Sequence, residues 1–217
     1  MVQVTTQTLK SEIASLFAIA EKRGGIAAEL PVEEIVVADW VRMKCRFGCK
    51  GYGKHLSCPP YTPGPEETRR VLMGYRHAML VRFDGDPAHP VIQPEDIPAD
   101  FHGFYREMIL WIWDTMWELE KTAFYDGFYK VFGFGAYPCI FCDVCVVEEC
   151  MGVADESLRR KCLHPDRLRP SMEAVGMDVI ATARKVGWEI TPIPCEGMEY
   201  GKIMHGNIRS VGLLLID

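Results

Sequence analysis

The chain has no apolar run long enough to cross a bilayer. Its most hydrophobic stretch, Met108 to Trp113, is bounded by Asp114 and soon followed by Glu118, whereas a spanning helix needs about 20 apolar residues. It has no excess of positive charge either. The 24 Lys and Arg are outnumbered by 30 Asp and Glu, for a net charge of −6, and without a basic stripe nucleic acid is not an expected partner. There is no P-loop, no HExxH and no Ser/His/Asp arrangement. Gly133-Phe134-Gly135 lacks the rest of a dinucleotide fingerprint and reads as a strand-end turn. Met1 to Gly25 carries Lys10, Glu12, Glu21, Lys22 and Arg23 through its apolar positions, so it has no clean secretory h-region. The expectation is a cytoplasmic protein away from membranes.

The chain is rich in one unusual residue, with nine cysteines in 217 positions. That is too sparse for a disulfide scaffold, and the number is odd. In a reducing compartment, clustered thiols mean metal or redox chemistry more often than disulfides. The 48% hydrophobic and 25% charged fractions are those of a globular protein, and the length suits one metal-binding domain, 1–217, that folds without staples.

Periodicity predicts an amphipathic helix over 8–23, stopped by Gly24-Gly25. Glu34 to Val41 is β-branched and reads as a strand running into Cys45. A helix opens at Pro65 and continues to about Tyr75. Ala78 to Phe83 reads as a strand, 86–100 as a proline-bearing surface loop, and 103–126 as a long helix buried through its Trp-rich run. Lys130 to Gly135 reads as a strand, 171–186 as one helix behind Pro170, and Trp188 to Thr191 and Arg209 to Ile216 as closing strands. No internal repeat is visible. The fold class expected is α+β: a central mixed sheet with packed helices and cysteine-bearing loops at strand ends.

Cys139-x2-Cys142-x2-Cys145 is the strongest motif, since this spacing lets one loop wrap three corners of an iron–sulfur cube. The bacterial ferredoxin pattern would continue with a cysteine after three residues and then proline. Here Cys150 follows after four residues without proline, and Cys162 follows later in Cys162-Leu163-His164-Pro165. Either can serve as fourth ligand. Cys162 is favoured because Pro165 and Pro170 stiffen its surroundings and a helix starting near Ser171 would aim N–H groups at the thiolates. A four-cysteine zinc site is the alternative, although zinc sites more often use two C-x2-C pairs.

A second group is Cys45-x3-Cys49 and Cys58-Pro59-Pro60, interleaved with Gly48, Gly51 and Gly53 and with Arg42, Lys44, Arg46, Lys50 and Lys54. Such cations offset an anionic cluster and lower thiol pKa values, or they form a solvated face. Cys195, held in a loop stiffened by Pro192 and Pro194, or Cys150 would supply the fourth ligand, unless one iron corner is left open. An open corner would permit a substrate to bind. Cys195 is equally readable as a buried thiol. His55 and His164, each within three residues of a cysteine, are candidate ligands or supports, or ordinary loop histidines.

Cys45-x3-Cys49-x2-Tyr52-Gly53, Cys58-Pro59-Pro60, Cys139-x2-Cys142-x2-Cys145 and Cys162-x-His164-Pro165-x3-Arg169-Pro170-Ser171-Met172-Glu173-Ala174 together resemble an uncharacterised, cysteine-rich family of predicted metal-binding proteins of methanogenic archaea and strictly anaerobic bacteria. The likeness covers roughly residues 35–216. It implies metal binding through Cys45, Cys49, Cys58, Cys139, Cys142, Cys145 and Cys162 in an oxygen-free setting; Cys150 matches no motif position, and no reaction is implied. The expected function is an iron–sulfur protein with one [4Fe–4S] cluster, and a second on the Cys45 group, moving electrons at low potential to a partner protein or into a small-molecule substrate. Two alternatives stand beside it: an open-cornered cluster used as Lewis acid for dehydration or sulfur transfer, and a zinc-stabilised interaction module.

Overall fold

The computed structural model describes residues 6–85, 101–149, 156–190 and 209–217. Helices α1 (Thr6–Lys22), α2 (Asp39–Gly48), α3 (Pro65–Leu72), α4 (Phe101–Tyr125), α5 (Val146–Glu149) and α6 (Val179–Lys185) surround strands β1 (Gly25–Pro31), β2 (His77–Asp84), β3 (Phe132–Phe134) and β4 (Arg209–Ile216). The sheet order is β1-β2-β4-β3. All three pairings are antiparallel, with Leu80 opposite Leu213 in β2–β4 and Leu213 opposite Phe134 in β4–β3. The class is therefore α+β. The sheet itself is antiparallel rather than mixed, and the parallel contact Gly135–Ser171 is an isolated bridge outside it.

Both faces of the two central strands are covered, which is why their sequences read as near-continuous apolar runs. Successive side chains point to opposite faces. Met79, Val81, Phe83, Leu214 and Ile216 pack beneath α1 and α4 with Leu16, Ile112 and Leu119. Ala78, Leu80, Leu213 and Leu215 face the other way, onto Leu72, Met172, Val175, Met177 and Trp188. The Trp-rich run of α4 is core: Trp111 meets the Phe83 ring edge-on at 5.0 Å and its indole N–H donates to the Arg23 carbonyl at 2.8 Å. Among the described residues no helix is long and apolar enough to cross a membrane.

Four expectations need correction. The stretch 34–41 is not a strand. Val32–Glu34 is a 3-10 turn, Val37 makes one isolated bridge to Met177, and α2 starts at Asp39. The β-branched run is only three residues long, and an acid in the first turn with Val41 as the buried apolar residue suits a helix. The single helix over 171–186 is instead a 3-10 turn, Glu173–Val175, a left-handed Gly176 (φ 89°), and then α6 capped by Asp178, which accepts the Ala181 N–H at 2.9 Å. Gly176 cannot carry a side chain, because a Cβ there would lie 2.6 Å from Pro65 Cγ. No helix N-terminus at Ser171 is therefore available to face the thiols. β1 was hidden behind the helix-stopping glycines: Gly25 begins a strand whose Cβ space is taken by Val81 at 2.8 Å. Trp188, Glu189 and Ile190 form no strand. Thr191, the loop 86–100, Cys150 and Cys195 lie outside the described residues.

At the outer layer, burial pushes the Glu12 carboxyl up to about 7, helped by a hydrogen bond and like charge from Asp126. Its Oε1 is buried without a hydrogen-bond partner. Because the folded pKa lies above the ordinary 4.5, the stability this group supplies is complete below about 4.5 and is lost as pH rises through about 7. Glu12→Gln should match the parent at pH 4 and exceed it by about 1–2 kcal/mol at pH 8, after allowance for partial exposure. Denaturant titrations at the two pH values check this; an equal difference at both would contradict it.

Candidate metal centre

The first cysteine group is built around one half-buried cation. Residues 36–38 are strapped to 176–178 by Ala38 N–H to the Gly176 carbonyl (2.9 Å) and Asp178 N–H to the Val36 carbonyl (2.8 Å), which fixes the start of α2. Arg42 on α2 then donates to Thr62 Oγ1 and the Pro63 carbonyl at 2.9 Å each and to the Ala174 carbonyl. One guanidinium thus ties α2, the chain after Cys58 and the 3-10 turn at 173–175. Burial lowers the Arg42 pKa, while the nearby Cys45, Tyr52 and Cys58 favour its charged form. Cys45 lies on α2, with Sγ 4.0 Å from the Glu173 carbonyl, and Cys49 is the residue that ends the helix. Cys45 is therefore on a helix, not at a strand end. Arg42→Met removes the donor to Thr62 Oγ1 and the Pro63 carbonyl, while the Ala174 carbonyl keeps the Thr62 hydroxyl, and should cost about 1–3 kcal/mol; a loss under about 0.5 kcal/mol in a urea titration would contradict its tying role.

From Cys49 the chain winds through short turns to Cys58. Tyr52 N–H bonds the Cys49 carbonyl, Gly53 N–H the Pro59 carbonyl (2.8 Å) and Cys58 N–H the His55 carbonyl (2.9 Å). Gly53 has φ 73°, a left-handed conformation that glycine takes without steric cost. Gly51 sits between Cys49 and His55: a Cβ there would make ordinary contacts with Cys49 Sγ at 3.6 Å and His55 Cδ2 at 3.7 Å. Burial lowers the His55 pKa, with Lys54 acting in the same direction and Glu148 against it.

The second group follows β3. Gly135 N–H bonds the Pro170 carbonyl. Tyr137 then adopts φ 66°, unusual for a residue with a Cβ, while its hydroxyl meets Ser210 Oγ at 2.9 Å. The loop 139–145 is held from outside by Phe141, whose ring stacks edge-on to Trp113 (5.6 Å) and under the Arg167 guanidinium (4.3 Å). Arg167 in turn pairs with Asp114, and Arg106 donates to the Ile140 carbonyl at 2.9 Å. From inside, a small core of Leu56, Val147 and Leu158 carries Cys145 and Cys162. His164 is 5.5 Å from the Phe141 ring, so it takes part in this stack.

Ser57 joins the two groups. It is 2% exposed, its Oγ accepts the Cys139 N–H at 2.8 Å, and it lies 4.0 Å from Cys58 Sγ. Burial pushes the Cys58 thiol up to about 12, with Ser57 opposing and Cys49, Cys45 and Cys139 adding. Burial likewise pushes Cys139 up to about 11, with the Phe141 backbone opposing and Cys162, Cys145 and Cys142 adding. The thiols thus sort into Cys45, Cys49 and Cys58 on one side and Cys139, Cys142, Cys145 and Cys162 on the other, meeting at Cys58 and Cys139. All seven are half-buried and none is in a disulfide. They are electrostatic neighbours without forming a ready-made cage: among the described residues no group of three or more His, Cys, Asp or Glu is arranged to hold a metal ion.

Of the five cations that the sequence puts near Cys45, Arg42 is built into the structure, whereas Lys44, Arg46, Lys50 and Lys54 are exposed. Lys44 lies 4.7 Å from the Trp40 ring centroid and Arg46 5.5 Å from that of Phe47. Ser57 and the Phe141–Arg167 clamp were missed by sequence reasoning. The one available signal for Ser57 was its place directly before Cys58-Pro59-Pro60, and a serine there has many ordinary explanations.

The donor set is all thiol, unpaired by disulfides and drawn from several parts of the chain, which suits a soft metal or an iron–sulfur cluster. No curated protein and no solved structure matches the chain. A family model matches residues 28–216, a span that takes in both cysteine groups, and the chain therefore belongs to the family described as predicted metal-binding protein (DUF2284).

Proposed function

We propose that this chain is an iron–sulfur protein. In this reading Cys139, Cys142, Cys145 and Cys162 hold one [4Fe–4S] cluster, and Cys45, Cys49 and Cys58 hold three corners of a second. The observation that carries it is the convergence of seven half-buried thiols, none in a disulfide, on Ser57: its Oγ accepts the Cys139 N–H and lies 4.0 Å from Cys58 Sγ, Cys139 has Cys162, Cys145 and Cys142 as electrostatic neighbours, and Cys58 has Cys49, Cys45 and Cys139. Cys162 is the described thiol that completes the first group. Cys195 remains the candidate to complete the second, the alternative being an iron left open to a substrate.

Clusters so held would supply one-electron chemistry at low potential, consistent with an oxygen-free metabolism. The chain's own part is to exclude water, neutralise the anionic thiolates with Arg42, and fix two loops against each other. The exposed face of α2 supports exchange of electrons with a partner protein. Trp40, Met43 and Phe47 are 45%, 60% and 77% exposed, with Lys44 and Arg46 beside the rings, on the helix that carries Cys45.

The protein made and kept without oxygen should be brown, with a broad visible absorption that dithionite bleaches, as thiolate-ligated clusters behave. A colourless protein carrying zinc, prepared with iron available, would instead favour the zinc-stabilised module.

A further inference from the structure

Beside the cysteine loops, a cavity of about 340 Å³ opens between α3, β3 and the segment 168–177, within the roughly 300–1,000 Å³ range of small-ligand sites. Its walls are mostly apolar, with Val71 and Leu72 from α3, Phe132 and Phe134 from β3, and Val175 and Met177 opposite. Another part of the wall is Leu56 and Ser57. Ser57 is the residue between Cys58 and Cys139, so a molecule in this cavity would lie against the junction of the two thiol groups.

Most polar groups around it are already engaged. The Thr62 and Thr68 hydroxyls donate to the Ala174 and Val175 carbonyls at 2.6 and 2.8 Å. Arg169 is paired with Glu120. Arg159 differs: it lines the cavity, is exposed, donates to the Tyr61 carbonyl, and has no carboxylate partner among the described residues. An apolar chamber with one guanidinium that has no carboxylate partner among the described residues matches a ligand that is a hydrocarbon with a single negative charge, and a guanidinium binds a carboxylate through paired hydrogen bonds.

We propose that this cavity binds a small, mostly apolar monocarboxylate, its hydrocarbon body against the α3 and β3 walls and its carboxylate on Arg159. This names a substrate class for the proposed metal site and rests on that reading, but occupancy of the cavity is measurable apart from it.

The test is a titration of the full-length protein with 3-phenylpropionate and with its neutral counterpart 3-phenylpropanol, followed by NMR or calorimetry, with iron measured on the same samples. The acid should bind saturably and about tenfold more tightly than the alcohol. Arg159→Gln should reduce the acid to the alcohol's affinity and leave the alcohol unchanged. Val71→Trp, at a 45% exposed position of the wall, should fill the chamber and weaken both about tenfold or more without altering the melting temperature. Saturable binding of neither compound, unchanged binding by Val71→Trp, or an acid affinity indifferent to Arg159→Gln would overturn the proposal. Iron without binding removes the cavity proposal alone; binding by a protein that takes up no iron keeps the cavity and removes the iron–sulfur reading.

Discussion

Cys142→Ala is expected to strip about four Fe from each chain, or to leave a labile three-iron form, while iron on the other cysteine group stays in place. The expectation follows from how the two groups are anchored. Cys142 lies in the 139–145 loop and is an electrostatic neighbour of Cys139. That loop is held by Phe141, Arg167 and Trp113, and the core beneath it is just Leu56, Val147 and Leu158. Loss of its metal should loosen the loop as well, since binding energy there is folding energy. The Cys45 group is tied separately through Arg42 to Thr62, Pro63 and Ala174. Cys162→Ala should behave like Cys142→Ala, and Cys150→Ala should do much less. Iron and sulfide per chain for the three variants check this, and a Cys150→Ala loss equal to that of Cys162→Ala would overturn the ligand assignment.

Glu120→Ala should be the most damaging change far from the thiols, costing about 3–5 kcal/mol. Glu120 is 7% exposed. Its carboxylate accepts one bifurcated hydrogen bond from Arg169 Nε–H, at 2.9 and 3.1 Å, one from Nη2 at 2.6 Å, and one from Gly133 N–H at 2.9 Å. The guanidinium lies over Trp117 and Phe132 at 5.4 and 5.2 Å, so removal of the acid strands a charge among rings and orphans a β3 donor. The pair also joins α4 to the chain leading from Cys162 to Ser171. Replacing both partners, Glu120→Leu with Arg169→Met, should recover much of the loss, because no unpaired charge then remains. Urea unfolding gives these values, and a Glu120→Ala cost under about 1 kcal/mol would contradict the role assigned to the pair.

Much of the scaffold was legible because its signals are local. α1, α3, α4, β2, β3 and β4 follow from apolar periodicity, Pro65 at a helix start and β-branched runs. What was not legible depends on partners distant in sequence. Residues 34–41 look like a strand until Val37 finds Met177 and the chain turns into α2. Residues 171–186 look like one helix until Pro65 occupies the space beside Gly176. β1 reveals itself through its register with β2, Gly25 to Phe83 through Pro31 to His77, not through its own alternation.

The candidate site divides in the same way. Spacing alone picked out Cys139, Cys142 and Cys145, and the bridging contact made by Ser57 could not be read from spacing. The preference for Cys162 rested partly on a helix that is not there; Cys162 instead packs with Cys145 on the small core of Leu56, Val147 and Leu158 and is an electrostatic neighbour of Cys139. Arg42 was one cation among five by sequence, and its half-buried place with hydrogen bonds to Thr62, Pro63 and Ala174 separates it from the others.

The most direct measurement of the central claim is the iron, acid-labile sulfide and zinc content of protein purified without oxygen from cells supplied with iron. About eight Fe and eight sulfides per chain are expected if both groups hold clusters, and about four of each if only the Cys139 group does. One or two zinc ions per chain with no sulfide would contradict it.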